Sequence, residues 1–239
     1  MITAETIQAL ARKYQTEEIN IWREYFQHLF LSYFFRQEHA GKIYFKGGTA
    51  LRFIYQSPRF SEDLDFSSSL KDVKKIEHAV IAALAEIERE GVGTELEQAA
   101  ETTGGYLAII RFKNNGKTTA IQLEISLRNG KDSGDTTTIT NDFIPPYTIV
   151  QLSQAQIVEG KVAALLSRKK PRDFYDFYFI LRANLLPGKQ KEVLQKILKT
   201  FSTINIRFDQ ELKRFLPKSH WPVIRDFNAA FEREIKRFL

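Results

Sequence analysis

No cysteine occurs in the 239 residues, and histidine occurs four times. Disulfides, thiolate catalysis and cysteine zinc sites are therefore excluded, and no two histidines stand at ligand spacing, which argues against a histidine metal cluster. Any metal must be held mainly by oxygen. No stretch approaches the roughly 18 to 20 uninterrupted apolar residues that a membrane crossing needs. The N-terminus also shows no basic-then-apolar signal-peptide pattern, so a cytoplasmic location is the expectation. There is no internal repeat and no low-complexity segment.

The apolar fraction of 43% and the 19 phenylalanines supply an ordinary, well-packed core for one large domain or two small ones. A net charge of +6 and a pI near 9.3 favour a polyanionic partner such as RNA or DNA, although charge by itself discriminates little.

The chain is organised around Lys46-Gly47-Gly48-Thr49-Ala50-Leu51-Arg52 and, eleven residues on, Asp63-Leu64-Asp65. Ile43-Tyr44-Phe45 reads as a buried strand, and Leu51, Ile54 and Tyr55 recur at helical spacing, so the glycine pair sits at a strand-to-helix turn. Paired glycines let the backbone approach a ligand closely, and the first turn of a helix offers free N–H groups to an anion, here a phosphate. Arg59 to Phe66 reads as extended. Asp63 and Asp65 then share one face while Leu64 and Phe66 enter the core. Two carboxylates on one face suit Mg²⁺, which pairs one or two carboxylates with substrate phosphates. A lone Gly-Gly is more often just a turn, and a lone Asp-x-Asp more often a surface feature; their combination points to nucleotide chemistry. The glycines form neither a Walker A loop nor a dinucleotide-binding fingerprint.

Gly-Gly-Thr at a strand-to-helix turn followed by Arg59-Phe60-Ser61-Glu62-Asp63-Leu64-Asp65-Phe66 resembles the nucleotidyltransferase superfamily of the DNA polymerase β type. More closely, it is similar to the AbiEii/AbiGii toxin nucleotidyltransferases. The resemblance implies an α/β (α+β) polymerase β-like domain of mixed sheet and flanking helices, over residues 1–150, and a helical C-terminal domain over 151–239. It also implies a third carboxylate on a strand beside the Asp-x-Asp strand. Glu124 best matches that place; a solvated strand glutamate is the alternative.

Before this stretch, Thr3–Tyr14 and Thr16–Gln37 read as helices, with Thr16 as a cap of the second. Ile19, Trp22, Phe26, Leu29, Phe30, Tyr33 and Phe34 lie on its apolar face. After it, Val73, Ile76, Val80, Leu84 and Ile87 mark a helix ending near Gly91 and Gly93. Tyr106–Phe112 and Thr119–Leu127 read as strands joined through Asn114-Asn115-Gly116, with Ile121, Leu123, Ile125 and Leu127 inward and Gln122, Glu124, Ser126 and Arg128 outward. Asn129–Asp142 reads as a loop or an irregular crossing, and Pro145-Pro146 prevents regular structure.

Ser153 to Gln156 resembles a capping box opening a helix with Ile157, Val158, Val162, Leu165 and Leu166 apolar. Lys161 falls inside that stripe, either snorkelling past its neighbours or held toward a cleft to meet a phosphate; Arg168 shares the face. After Lys169-Lys170-Pro171, Arg172 to Leu181 starts another helix. Asp173 suits its N-terminus, and Asp176, lying deeper, needs a cation such as Lys161 or Arg168. The Lys161-x6-Arg168-x3-Arg172-Asp173-x2-Asp176 pattern is similar to the C-terminal signature of the same toxin family, whose functional lysine and second aspartate match Lys161 and Asp176. Helical patterns at Val193–Phe201, Gln210–Phe215 and Pro222–Phe238 close the chain, and their Lys and Arg serve either as solvated faces or as an RNA-carrying surface.

These readings together describe a nucleotidyltransferase. Gly47, Gly48 and Thr49 hold the β- and γ-phosphates of a nucleoside triphosphate, Arg52 and Arg59 assist, and Asp63 and Asp65 bind Mg²⁺, with Glu124 as a further metal ligand or the general base. Lys161 meets the triphosphate and Asp176 fixes it. The resemblance implies a toxin of a toxin–antitoxin or phage-defence pair, a cognate antitoxin, and transfer to the 3′ acceptor end of transfer RNA. Transfer to a protein acceptor, a metal-dependent glycosyltransferase and a non-catalytic nucleic-acid-binding module are the competing readings.

Overall fold

The computed structural model describes residues 2–114, 116–128, 134–188 and 190–239. At its N-terminal end, α1 (Ala4–Lys13) is capped by Thr3, whose hydroxyl accepts the Thr6 N–H at 3.2 Å. Helix α2 (Glu18–Phe34) starts later than predicted: Glu17 is its cap residue, and Thr16 Oγ1 instead accepts the Asn20 side-chain amide at 2.8 Å. Trp22, Phe26, Phe30 and Phe34 are buried on α2 as expected, whereas Ile19 is exposed. Each fully buried aromatic or aliphatic side chain of this kind contributes about 1.5–3 kcal/mol.

The next elements are β1 (Ile43–Lys46), α3 (Gly47–Tyr55), β2 (Leu64–Ser68) and α4 (Val73–Arg89). Three long strands follow, β3 (Gly93–Thr102), β4 (Gly105–Asn114) and β5 (Lys117–Ser126), then β6 (Gly134–Ile139) and β7 (Tyr147–Leu152). They form one mixed seven-stranded sheet in the order β3-β4-β5-β2-β1-β7-β6. Strand β1 is antiparallel to β2 and parallel to β7, and β2 is parallel to β5. The β4–β5 hairpin closes with Asn114 opposite Lys117 and Gly116 at φ +72°; Asn115 lies outside the described residues.

Two edge strands were not legible in the sequence. In β3, both faces are largely exposed, so no apolar alternation marks it; pairing with β4 and the ion pairs Glu95–Lys113 and Glu97–Arg111 hold it. The predicted loop over 129–142 contains β6, an edge strand of threonines paired to β7; residues 129–133 of that loop lie outside the described residues. Strand β7 begins directly after Pro145-Pro146, its register set by β1 and β6.

The C-terminal part is helical: α5 (Gln154–Arg168), α6 (Pro171–Arg182), α7 (Lys191–Ser202), α8 (Phe208–Leu212), α9 (Trp221–Arg225) and α10 (Phe227–Lys236). The Ser153–Gln156 capping box is present. The last predicted helix is interrupted at Asp226, giving α9 and α10. Among the described residues no helix is long and apolar enough to cross a membrane.

Buried apolar residues fall into two clusters. One joins α1, α2 and α4 to the sheet through residues such as Phe26, Phe45, Phe66 and Phe112. The other joins the C-terminal helices to the opposite side of β1 and α3 through Tyr44, Leu51 and Leu152. The Phe60 N–H donates to the Phe215 carbonyl at 2.8 Å, which brings the segment before β2 against the C-terminal helices. The α3 turn and the end of β2 therefore meet α5 and α6 across a cleft.

Candidate active site

At the β1–α3 turn Gly47 takes φ +87°, a left-handed conformation that disfavours any side chain. A Cβ at Gly47 would fall on the Asp65 carboxylate, and one at Gly48 on the Arg59 guanidinium and Ser61 Oγ. The paired glycines are thus required twice, by backbone conformation and by close approach. The first N–H groups of α3 are left for an anion. Thr49 does something other than expected. Its hydroxyl is fully buried and donates to the Asp63 carbonyl at 2.5 Å, so it fastens α3 to the acid segment instead of reaching into the cleft.

Asp65 sits on β2 opposite Lys46 of β1 and opposite Glu124 of β5. Asp63 precedes the strand. The segment leading to it is fixed by Gln27 of α2, whose amide donates to the carbonyls of Ser61 and Glu62 at 3.1 Å each. Burial pushes the Asp63 carboxyl up to about 6, and the negative charges of Asp65 and Glu62 add to it. Burial also raises Asp65, against the pull of Lys161 and with the push of Glu124. These acids are held close together in surroundings that penalise their charge. Glu124 is exposed and its carboxylate accepts the Gln122 amide at 2.5 Å.

That donor set fits a hard divalent cation, with two carboxylates destabilised by burial and by each other and a third one strand away. Among the described residues no three His, Cys, Asp or Glu side chains form a closed metal cage. Two carboxylates at such a place leave most of a hard cation's coordination to be supplied by substrate oxygens, as is usual for Mg²⁺.

Asp176 of α6 shows the opposite electrostatics. Arg59 grips it bidentately, Nε to Oδ1 at 2.6 Å and Nη2 to Oδ2 at 3.0 Å, and Lys161 Nζ donates to Oδ2 at 2.6 Å. Burial alone would raise this carboxyl, but the two cations hold it down at about 2. The expected Lys161 partner is present. Arg168 instead donates to Asp173 at 2.6 Å, and the Asp173 carboxylate also accepts the Lys170 N–H at 3.3 Å at the start of α6. Arg59, expected to contact phosphate directly, is consumed largely by Asp176 and by the Phe60 carbonyl.

Gly48, Arg59, Asp63, Asp65, Glu124, Lys161 and Asp176 line one cavity of about 180 Å³. Arg52 does not join them. One helical turn beyond the glycines it points to α2, pairs with Glu24, donates to the Ser57 and Pro58 carbonyls at 3.1 Å each and stacks on Phe60 at 3.6 Å. It lines a separate cavity with Tyr14 and His28. Arg172 and Gln122 line the site cavity without having been assigned a role from the sequence, and Arg168, expected as a possible partner of Asp176, lines it while paired with Asp173. The positive charge of Arg172 works against the rise at Asp63, and that of Arg168 against the rise at Asp65. For Gln122 the outward alternation of β5 carried the signal, and for the arginines their place between Lys161 and Asp176.

A glycine turn at a helix start, an Asp-x-Asp strand beside it and a cationic wall facing both define a nucleotidyltransferase. A model of the family described as nucleotidyl transferase AbiEii toxin, type IV TA system, matches residues 29–239, and the chain belongs to that family. Solved structures share the fold. JHP933 from Helicobacter pylori is 17% identical with a TM-score of 0.63, covering 93% of this chain and 94% of its own. MenT4, a nucleotidyltransferase toxin from Mycobacterium tuberculosis, is 15% identical with a TM-score of 0.65, covering 98% and 94%. No curated protein matches the sequence.

Proposed function

We infer that this nucleotidyltransferase toxin moves a nucleotide from a nucleoside triphosphate to the 3′-hydroxyl of an RNA, the acceptor end of transfer RNA, with Mg²⁺ as the metal. By this reading it acts in the cytoplasm, blocks translation in a toxin–antitoxin or phage-defence setting, and is countered by a cognate antitoxin. The observation that carries the reading is the partly buried Asp63/Asp65 pair, its charge disfavoured by burial, beside the Gly47–Gly48 turn and opposite Lys161, Arg168 and Arg172.

Residues 1–150 form the transferase domain in this account and 151–239 the helical domain that closes over the triphosphate. The N–H groups at the start of α3 and the cations of α5 and α6 receive the β- and γ-phosphates. Bound Mg²⁺ would offset charge on the triphosphate and lower the pKa of the attacking hydroxyl. Asp63 and Asp65 would hold it, with Glu124 placed to take the proton of the hydroxyl. The hydroxyl oxygen bonds to the α-phosphorus as the α–β P–O bond breaks, and pyrophosphate leaves with the electron pair. Asp176 positions Lys161 and Arg59, each on a different side of the cleft.

The test is incubation of the protein with total transfer RNA, Mg²⁺ and each labelled triphosphate in turn, beside an Asp63→Ala/Asp65→Ala variant. Label on RNA from one or more triphosphates, absent in the variant, is expected. Label that is removed by protease and resists ribonuclease would replace the RNA acceptor with a protein, and transfer from a nucleotide sugar would overturn the donor.

A further inference from the structure

A second cavity, of about 410 Å³, shares Asp65 and Glu124 with the first but none of Arg59, Lys161, Arg168 or Arg172. It lies over the ends of β2 and β5 and the β3–β4 turn, and the activity described above leaves it without a role. Its lining is mixed: Leu107, opposite Glu124 in the sheet, is apolar, Thr102 and Ser126 bear hydroxyls, and Lys46 and Arg128 are cationic. The β3–β4 turn at its edge packs closely on β5 and on Arg128. Gly105 approaches the β5 backbone at Ile125 so closely that a Cβ would strike its carbonyl, and the Arg128 guanidinium lies against Gly104, where a Cβ would meet its Cζ at 3.0 Å. Arg128 is exposed, and among the described residues its guanidinium has no hydrogen-bond or ion-pair partner.

Phosphoryl-transfer geometry decides what belongs there. Attacking and leaving oxygens stand roughly in line on opposite sides of the α-phosphorus. The cations of the first cavity mark the side on which pyrophosphate departs. The incoming hydroxyl must then arrive from the other side of Asp65 and Glu124, where the second cavity opens. We propose that this cavity is the acceptor subsite: it takes the terminal nucleoside of the acceptor RNA, with Arg128 on the last internucleotide phosphate and the 3′-hydroxyl turned to Asp65 and Glu124. A volume of this size accommodates a nucleoside, the Leu107 side chain offers its base an apolar contact, and a free guanidinium is the preferred donor to a phosphodiester.

This assignment rests on the RNA-acceptor reading, and the experiment separates the two. A short single-stranded RNA with a free 3′-hydroxyl is titrated into wild type and Arg128→Ala with a non-hydrolysable triphosphate analogue present, followed by fluorescence anisotropy, and steady-state KM is measured for both substrates. At least a tenfold loss of RNA affinity and a matching rise in RNA KM are expected, with analogue affinity and triphosphate KM within twofold of wild type. Arg128→Lys restores part of the loss and Arg128→Glu deepens it. Weakening confined to the triphosphate would give the cavity to the donor nucleoside and overturn the proposal, as would unchanged RNA affinity in a variant that melts with wild type. Wild type that labels no RNA would instead remove the RNA reading and the proposal with it, a failure visible before any Arg128 variant is made.

Discussion

Asp63 and Asp176 line the same cavity, and burial disfavours both, yet their charges are treated in opposite ways. Asp176 is surrounded by Arg59 and Lys161 and ionises more readily than a free aspartate. Asp63 faces Asp65 and Glu62, with Arg172 as weaker compensation, and ionises less readily. A buried acid with two cations in hydrogen-bond contact is structural, because its interactions are complete without a ligand. Acids held together at a cost are waiting for positive charge. Desolvation penalises both, and the presence or absence of counter-charge separates the acid that is complete within the fold from those left open to a ligand.

Breaking the Asp176 side of this comparison has the largest effect. Asp176→Asn leaves Arg59 and Lys161 buried without their counter-charge and is expected to cost about 3–5 kcal/mol in chemical denaturation. Transfer activity falls with it, because the two cations lose their common anchor. Asp65→Asn should do the reverse to the fold: activity drops about 10³-fold, equivalent to about 4 kcal/mol of transition-state stabilisation, while stability without metal holds or rises. A parallel loss of stability and activity in Asp65→Asn would erase the distinction.

Thr49→Val sharpens the account of the turn. Loss of the hydroxyl leaves the Asp63 carbonyl without its donor and costs about 1–3 kcal/mol, seen as a lower denaturation midpoint. If Thr49 instead served mainly to hold phosphate, triphosphate KM would rise with stability unchanged.

The smallest effect is on pH. The folded-state Asp63 pKa, about 6, lies above its value of 3.8 when free. Between those values the folded chain keeps a proton that the unfolded chain releases, so this contribution to stability is present at low pH and lost as pH rises through about 6. Asp63→Asn should flatten that part of the metal-free stability profile, read by melting temperature between pH 4 and 7.

The sequence made the Asp63/Asp65 pair and the glycine turn legible because each is a short local pattern and the two are separated by under twenty residues. The Lys161–Asp176 pair was legible for the same reason, since both belong to adjoining helices. Arg59–Asp176 was not: the residues are 117 apart in sequence, and only the docking of α6 against the segment before β2 brings them together. Arg52 was misplaced because helical spacing gives the direction of a side chain without saying which helix, here α2 with Glu24, packs there. Strands β3 and β6 escaped because edge strands held by pairing need no apolar face. Arg128 followed the outward alternation read from the sequence and lies two residues past β5, but its place at a cavity depends on the β3–β4 turn, whose Gly104-Gly105 pair no local pattern connects to Asp65.

The contrast between the two acid sites is tested most directly by melting temperature as a function of Mg²⁺, with a non-hydrolysable triphosphate present, in wild type and Asp65→Asn. Relief of the Asp63–Asp65 repulsion predicts a wild-type melting temperature that climbs with Mg²⁺, and a variant that starts level with or above metal-free wild type and stays flat. A variant that starts lower and climbs in parallel with wild type would contradict the account, because the acid pair would then be a structural element and the metal would bind elsewhere.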